Sequence, residues 1–207
     1  MEVWFTSRRR YGGGDRAAPI AWDPTPPAWR QDRYLLVPGG DDMSIKWREG
    51  RLEIKARTST SGPQVFAPAI AGECEHWLKW SYAGDAIDRR FHDIFENSLA
   101  RGVVAVEKRR LQRHLNLGPT GTVDEVRPGD GRERGINIEL AEIRVPGPAG
   151  HVHWSLAFEA FPNDQVFELF GQVVAAFLAG CPALPLSADQ SMSYPRWLLA
   201  FDRASAP

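Results

Sequence analysis

The stretch Ser44–Arg57, SIKWREGRLEIKAR, constrains this chain more than any other. Lys46 and Arg48 alternate with Ile45 and Trp47, and beyond a Glu49-Gly50-Arg51 turn Glu53, Lys55 and Arg57 alternate with Leu52, Ile54 and Ala56. Successive side chains of a strand point to opposite faces, so the pattern predicts a hairpin with one apolar and one densely charged face. On the charged face only Glu53 is acidic, against Lys46, Arg48, Lys55 and Arg57. Cross-strand neighbours stand only about 5 Å apart, and such crowding repels unless carboxylates or a bound polyanion offset it. On an open surface, ion pairs with Glu49 and Glu53 would make these charges decoration worth about 0–1 kcal/mol each. A closed antiparallel barrel with a wide, polar, water-filled interior gives them a use.

At 207 residues, 43% hydrophobic and 25% charged, the chain suits one well-cored domain spanning 1–207. The formal net charge of −1 provides no global field toward nucleic acid or membrane, so any anion site must be local. Cys74 and Cys181 are far apart in a cysteine-poor chain, which reads as reduced, buried thiols and a cytoplasmic location. The opening MEVWFTSRRR has no apolar signal-peptide core, and the run Val173–Gly180 is far short of the roughly 18 residues that span a bilayer.

Along the chain, Val3–Thr6 reads as a strand and residues 8–30 as an extended Arg-, Gly- and Pro-rich loop. Arg33–Val37 is a second strand before the charged hairpin. TSTSGP at 58–63 reads as a loop, and Cys74–Tyr82 as a strand. The spacing of Ile87, Phe91, Ile94, Phe95 and Leu99 predicts a helix over Asp85–Arg101, stopped by Gly102. A long strand over Val103–His114 follows, then a short one at Val123–Val126 and a hairpin of Ile136–Val145 with His151–Phe161. A final helix, capped by Asn163 or Asp164, runs to about Leu178 with Phe167, Phe170, Val174 and Phe177 inward. Seven to nine strands in antiparallel succession with two helices argue an α+β fold. Trp77, Trp80, Trp154 and Trp197 read as core, and the His151/His153 pair as solvent-exposed.

The order of these motifs resembles the CYTH superfamily, the triphosphate tunnel metalloenzymes. Asp32-Arg33-Tyr34 resembles the family's Asp-x-Tyr strand, Lys46 and Arg48 its alternating basic pair, and Lys55 its strand-ending Lys. Lys108 and Arg110 in VEKRR resemble its Lys-x-Arg strand, IELAE at 138–142 its acidic strand, and LAFE at 156–159 its late Glu-bearing strand. Ser193-Tyr194 with Trp197-Leu198 resembles the closing segment, so the likeness covers 32–57 and 103–201. The chain departs from the family's opening Glu-x-Glu-x-Lys: it begins Glu2-Val3-Trp4-Phe5-Thr6, and Ala157 stands where a second late Glu is expected.

The resemblance implies an antiparallel β-barrel or tunnel of about eight strands whose inner face carries Lys46, Arg48 and Lys55, with the 164–178 helix outside. It implies metal-dependent hydrolysis of an inorganic, organic or nucleoside triphosphate. Lys46, Arg48, Lys55, Arg57, Lys108 and Arg110 would bind phosphate. Glu139 and Glu159 would serve catalysis, and Glu2, Glu139 and Glu159 would hold Mg²⁺ or Mn²⁺, hard cations that take carboxylate and phosphate oxygens. Glu142 rivals Glu139 if the strand is bulged, and Glu75 and Lys79 are further inner-face candidates. The alternative is a module of the same fold that captures a polyphosphate, a nucleotide or another polyanion without turnover. The −1 balance argues against nucleic acid as the partner.

Overall fold

The computed structural model describes residues 28–68, 70–96, 102–119, 121–127, 129–145, 152–162, 167–179 and 186–205. In chain order these form β1 (Arg30–Leu35), β2 (Met43–Arg48), β3 (Arg51–Ala67), β4 (Ile70–Ala83), α1 (Asp85–Glu96) and β5 (Val103–Leu117). After these come β6 (Val123–Val126), β7 (Gly135–Arg144), β8 (Val152–Phe161), α2 (Phe167–Ala179) and α3 (Tyr194–Ser205). The strands make one antiparallel sheet in the order β4-β3-β2-β1-β5-β7-β8, with β6 paired to the far end of β5. The α+β expectation holds.

The charged hairpin is β2–β3, with Lys46 opposite Glu53 and Arg48 opposite Arg51. Its two-residue turn puts Glu49 and Gly50 both at positive φ, 50° and 72°, the conformation whose twist matches a right-handed pair of strands. The apolar side of this hairpin, Trp47 and Leu52 with Ile45 and Ile54, meets Ile87, Phe91 and Phe95 of α1. Trp47 and Phe95 stack with centroids 5.9 Å apart. Asp85 and Asp88 complement the N-terminal dipole of that helix.

The sheet is curled but not closed. Lys55 on β3 and Glu159 on β8 form an ion pair of 3.2 Å, although β2, β1, β5 and β7 stand between their strands in the sheet order. In a flat sheet that separation would be about 24 Å at about 4.8 Å per strand, out of range for two side chains. The face bearing both residues is therefore concave. Yet β4 and β8 share no ladder, so the barrel expected from the sequence is corrected to an open, strongly curved sheet.

α2 packs on the convex side. Val173, Val174, Phe177 and Leu178 bury against Leu115, Ile136 and Ile138, joined by Phe66 and Ile70 from the far end of the β3–β4 hairpin. α3 lies on the concave side at its apolar end, where Tyr194, Trp197, Leu198 and Phe201 meet Tyr34, Leu36, Val106, Ala141 and Ile143.

Several local expectations change. TSTSGP is no loop: it lies within β3, which keeps pairing with β4 through register shifts at Arg57/Ser59 and Thr60/Gly62. These bulges absorb the Gly and Pro that would otherwise break a strand. α1 ends at Glu96, and residues 97–101 lie outside the described residues, as do Val3–Thr6 and most of the 8–30 loop. Arg30, assigned to that loop, opens β1. The tail is a third helix. Trp80 and Trp154 are not core but 43% and 54% exposed on the two edge strands. His153 packs edge-on to Trp197 and Phe201 rather than facing solvent; His151 is outside the described residues. No helix among the described residues is long and apolar enough to cross a membrane.

Candidate functional site

Strand register gathers the charges. Reading across the concave face, β2 and β3 contribute Lys46, Arg48, Glu53 and Lys55, β1 contributes Arg30 and Asp32, and β5 contributes Lys108 and Arg110. β7 adds Asn137 and Glu139, and β8 adds Glu159. The alternation that selected Lys108 and Arg110 over Arg109 is realised. Both bond Glu139, at 2.6 Å and 2.9 Å, whereas Arg109 bonds Glu142 on the convex side. β7 carries no bulge at this point, so Glu139 faces the concave side and Glu142 the convex side.

Every carboxylate on this face holds cations. Glu53 accepts from Lys46 at 2.7 Å, Lys79 at 3.2 Å and Arg48 at 3.3 Å. Burial pushes its carboxyl up, but the hydrogen bonds and charges of Lys46 and Lys79 outweigh that and lower it to about 2. Glu139 is held below the usual carboxylate range in the same way: burial opposes, while Lys108 and Arg110 prevail, and Gln112 Nε2 adds a bond of 3.1 Å. Glu159 too is lowered against burial, by Lys55 and Asn137. Arg57 sits farther along β3, bonded to Glu75 at 2.6 Å and close to Asp41. Trp77 Nε1 donates to the other Glu75 oxygen, so Arg57 belongs to a separate cluster with Glu75. Lys79 does face inward, toward Glu53.

The floor was not legible beforehand. Asp32 is fully buried, and neither of its oxygens accepts a hydrogen bond, although Arg30 Nη2 and Lys46 Nζ each stand 3.5 Å from Oδ2. Buried acceptors without donors are rare, and here the charges of Arg30 and Lys46 offset the carboxylate instead. Burial lowers the pKa of Lys46 and of Arg30, with Asp32 partly restoring each. Tyr34 and Tyr194 stack at 6.1 Å and 6° beneath the lysines, and Tyr194 exchanges a 3.0 Å hydrogen bond with Ser155. At the opposite end, Arg132 Nη2 donates to Asn137 Oδ1 and contacts His114 Nδ1, and its guanidinium lies over Phe161. The Asp-x-Tyr and Ser-Tyr motifs flagged Asp32, Tyr34 and Tyr194 without a role. His114 and Asn137 carried no signal beyond strand alternation, and Arg132, between β6 and β7, carried none.

For a divalent cation the described residues offer Glu139 and Glu159, hard oxygen donors on adjacent strands. Glu139 pairs with Ala157 and Asn137 with Glu159, so the two carboxylates are diagonal neighbours on one face. No group of three or more potential ligands stands together among the described residues, and Glu2 lies outside them. Two ionised carboxylates fit an ion that takes its remaining ligands from phosphate and water.

No family model, no curated protein and no solved structure matches the chain.

Proposed function

We propose that the concave face binds a triphosphate and, with Mg²⁺ or Mn²⁺, hydrolyses it, as a divergent CYTH-like chain would. The observation carrying this reading is the convergence of Arg30, Lys46, Arg48, Lys55, Lys79, Lys108 and Arg110 on one concave surface, where they outnumber Asp32, Glu53, Glu139 and Glu159. Fixed cations from strands on both sides of β1 suit a linear polyanion. Arg48 and Arg110 would grip phosphate oxygens by paired hydrogen bonds, and Lys46, Lys55 and Lys108 would act as point charges.

Exchange of partners links capture to chemistry. An arriving triphosphate competes with Glu139 and Glu159 for Lys108, Arg110 and Lys55. Displaced, the two carboxylates regain free oxygens on the side facing the phosphate chain. A divalent ion bound there would supply Lewis-acid polarisation of the phosphoryl group and orientation of water. Phosphoryl transfer needs little covalent help, so the cations contribute by positioning and by neutralising charge as it shifts to the leaving oxygen.

A second reading, capture without turnover, is favoured by one observation: both carboxylates are engaged by cations in the free protein, at 2.6 Å and 2.9 Å for Glu139 and 3.2 Å for Glu159. Phosphate release from inorganic and organic triphosphates, with Mg²⁺ or Mn²⁺ against a chelator, separates the two. Metal-stimulated release that Glu159→Gln abolishes, with triphosphate binding retained, supports hydrolysis. Binding with no metal-stimulated release supports capture. Absence of both overturns the site.

A further inference from the structure

The carboxylates that hold Lys46 and Lys108 in the free protein cannot be what holds them once an anion is bound. Glu53 and Glu139 carry the same sign as a phosphate and are repelled by it, so the contacts of 2.7 Å and 2.6 Å weaken when they are needed. A lysine on a four-carbon stem, released from its carboxylate, regains rotamer freedom. The aromatic contacts behave differently. Lys108 Nζ stands 4.3 Å from the Tyr194 ring centroid, and Lys46 Nζ 6.0 Å from that of Tyr34. A ring's negative face attracts an ammonium without competing for the donors that point at a phosphate. The two rings are themselves locked: they stack at 6° to each other, Tyr34 is buried, and Ser155 on β8 hydrogen-bonds Tyr194.

We propose that Tyr194, stacked on Tyr34, is a positioning residue: the pair forms an aromatic floor that keeps Lys108, and less closely Lys46, aimed at the bound anion after Glu139 and Glu53 let go. This rests on the reading of the concave face as a triphosphate site. It assigns α3, which otherwise only fills the apolar end of that face, a part in binding.

The test uses inorganic triphosphate by calorimetry and the ¹³C-lysine spectrum of the full chain, with Lys108 assigned by its loss in Lys108→Arg. In wild type the Lys108 ε-methylene resonance is shifted upfield by the ring beneath it. Tyr194→Leu removes that shift and weakens triphosphate affinity about tenfold, the size of a desolvated cation–ring contact. Tyr194→Phe, which keeps the ring and loses the Ser155 bond, retains the shift and most of the affinity. Equal losses in the Leu and Phe variants, or an unmoved Lys108 resonance in the Leu variant, overturn the proposal. Should Tyr194→Leu fail to fold, mono-, di- and trifluorinated phenylalanine at 194 thin the ring's negative face while keeping its shape. A graded fall in affinity supports the floor, and a flat series overturns it. If wild type binds no triphosphate, the site reading falls, and the lysine spectrum alone decides whether the floor holds Lys108.

Discussion

Glu53 shows how charge is made tolerable on a crowded sheet. It is 5% exposed and holds three cations from β2 and β4, so it is the hub on which that half of the face depends. Its carboxyl lies at about 2 in the folded protein against 4.5 for the free side chain. A carboxyl lowered by folding stabilises fully above the unfolded value and loses that contribution as pH falls through the folded one. Glu53→Gln therefore costs about 3 kcal/mol at neutral pH, and in denaturation measured from pH 5 to 2 the gap from wild type closes steadily. For ligand capture, Arg48→Ala weakens inorganic triphosphate binding about 10–100-fold by calorimetry, the loss of a charged hydrogen-bonded pair. Arg90→Ala, at an exposed position on the outer side of α1, leaves it unchanged. The alternation of Lys46, Arg48, Lys55, Lys108 and Arg110 was readable because period two fixes a face from sequence alone. The burial of Asp32 was not, because it depends on cations from β2 arriving beside β1.

Packing between strands and helices is set by a few positions. Gly135 opens β7 where a Cβ would stand 2.7 Å from the Leu115 carbonyl oxygen and 2.9 Å from Phe161. Backbone cannot yield there, so Gly135→Ala forces β5 and β7 apart and lowers the unfolding midpoint, an overpacking loss of about 1–3 kcal/mol. Leu198, 1% exposed in α3, seals the concave face's apolar end, and Leu198→Ala costs about 2–5 kcal/mol in denaturant unfolding. That helix was present in the sequence as Tyr194, Trp197, Leu198 and Phe201, spaced i, i+3, i+4 and i+7. Pro195 at its second position does not interrupt it, because the first turn of a helix tolerates proline. At residues 58–63 composition announced a turn, and bulged pairing with β4 kept a strand.

The curl of the sheet could not be read from any strand singly. It appears only when Lys55 and Glu159, 104 residues apart, are found bonded across four intervening strands. The sheet order also divides the molecule: β1 to β4 are successive neighbours, β5, β7 and β8 form a second run, and the β1–β5 ladder alone joins them within the sheet. Each run can assemble from local hairpins, but the joining ladder must bring Arg30 beside Lys108 after the whole first run has intervened, and such long-range pairing is slow to form. Lys46, Arg48 and Lys55 come from one side of that seam, Lys108 and Arg110 from the other. An anion held by both sets fastens the two halves together, so amide hydrogen exchange along β1 and β5 should slow on adding inorganic triphosphate more than exchange in the outer part of β4. Equal slowing everywhere would mean that the halves never part on their own. Slowing concentrated at the seam would instead make it a hinge between two separately assembled halves, closed by an anion bound across it.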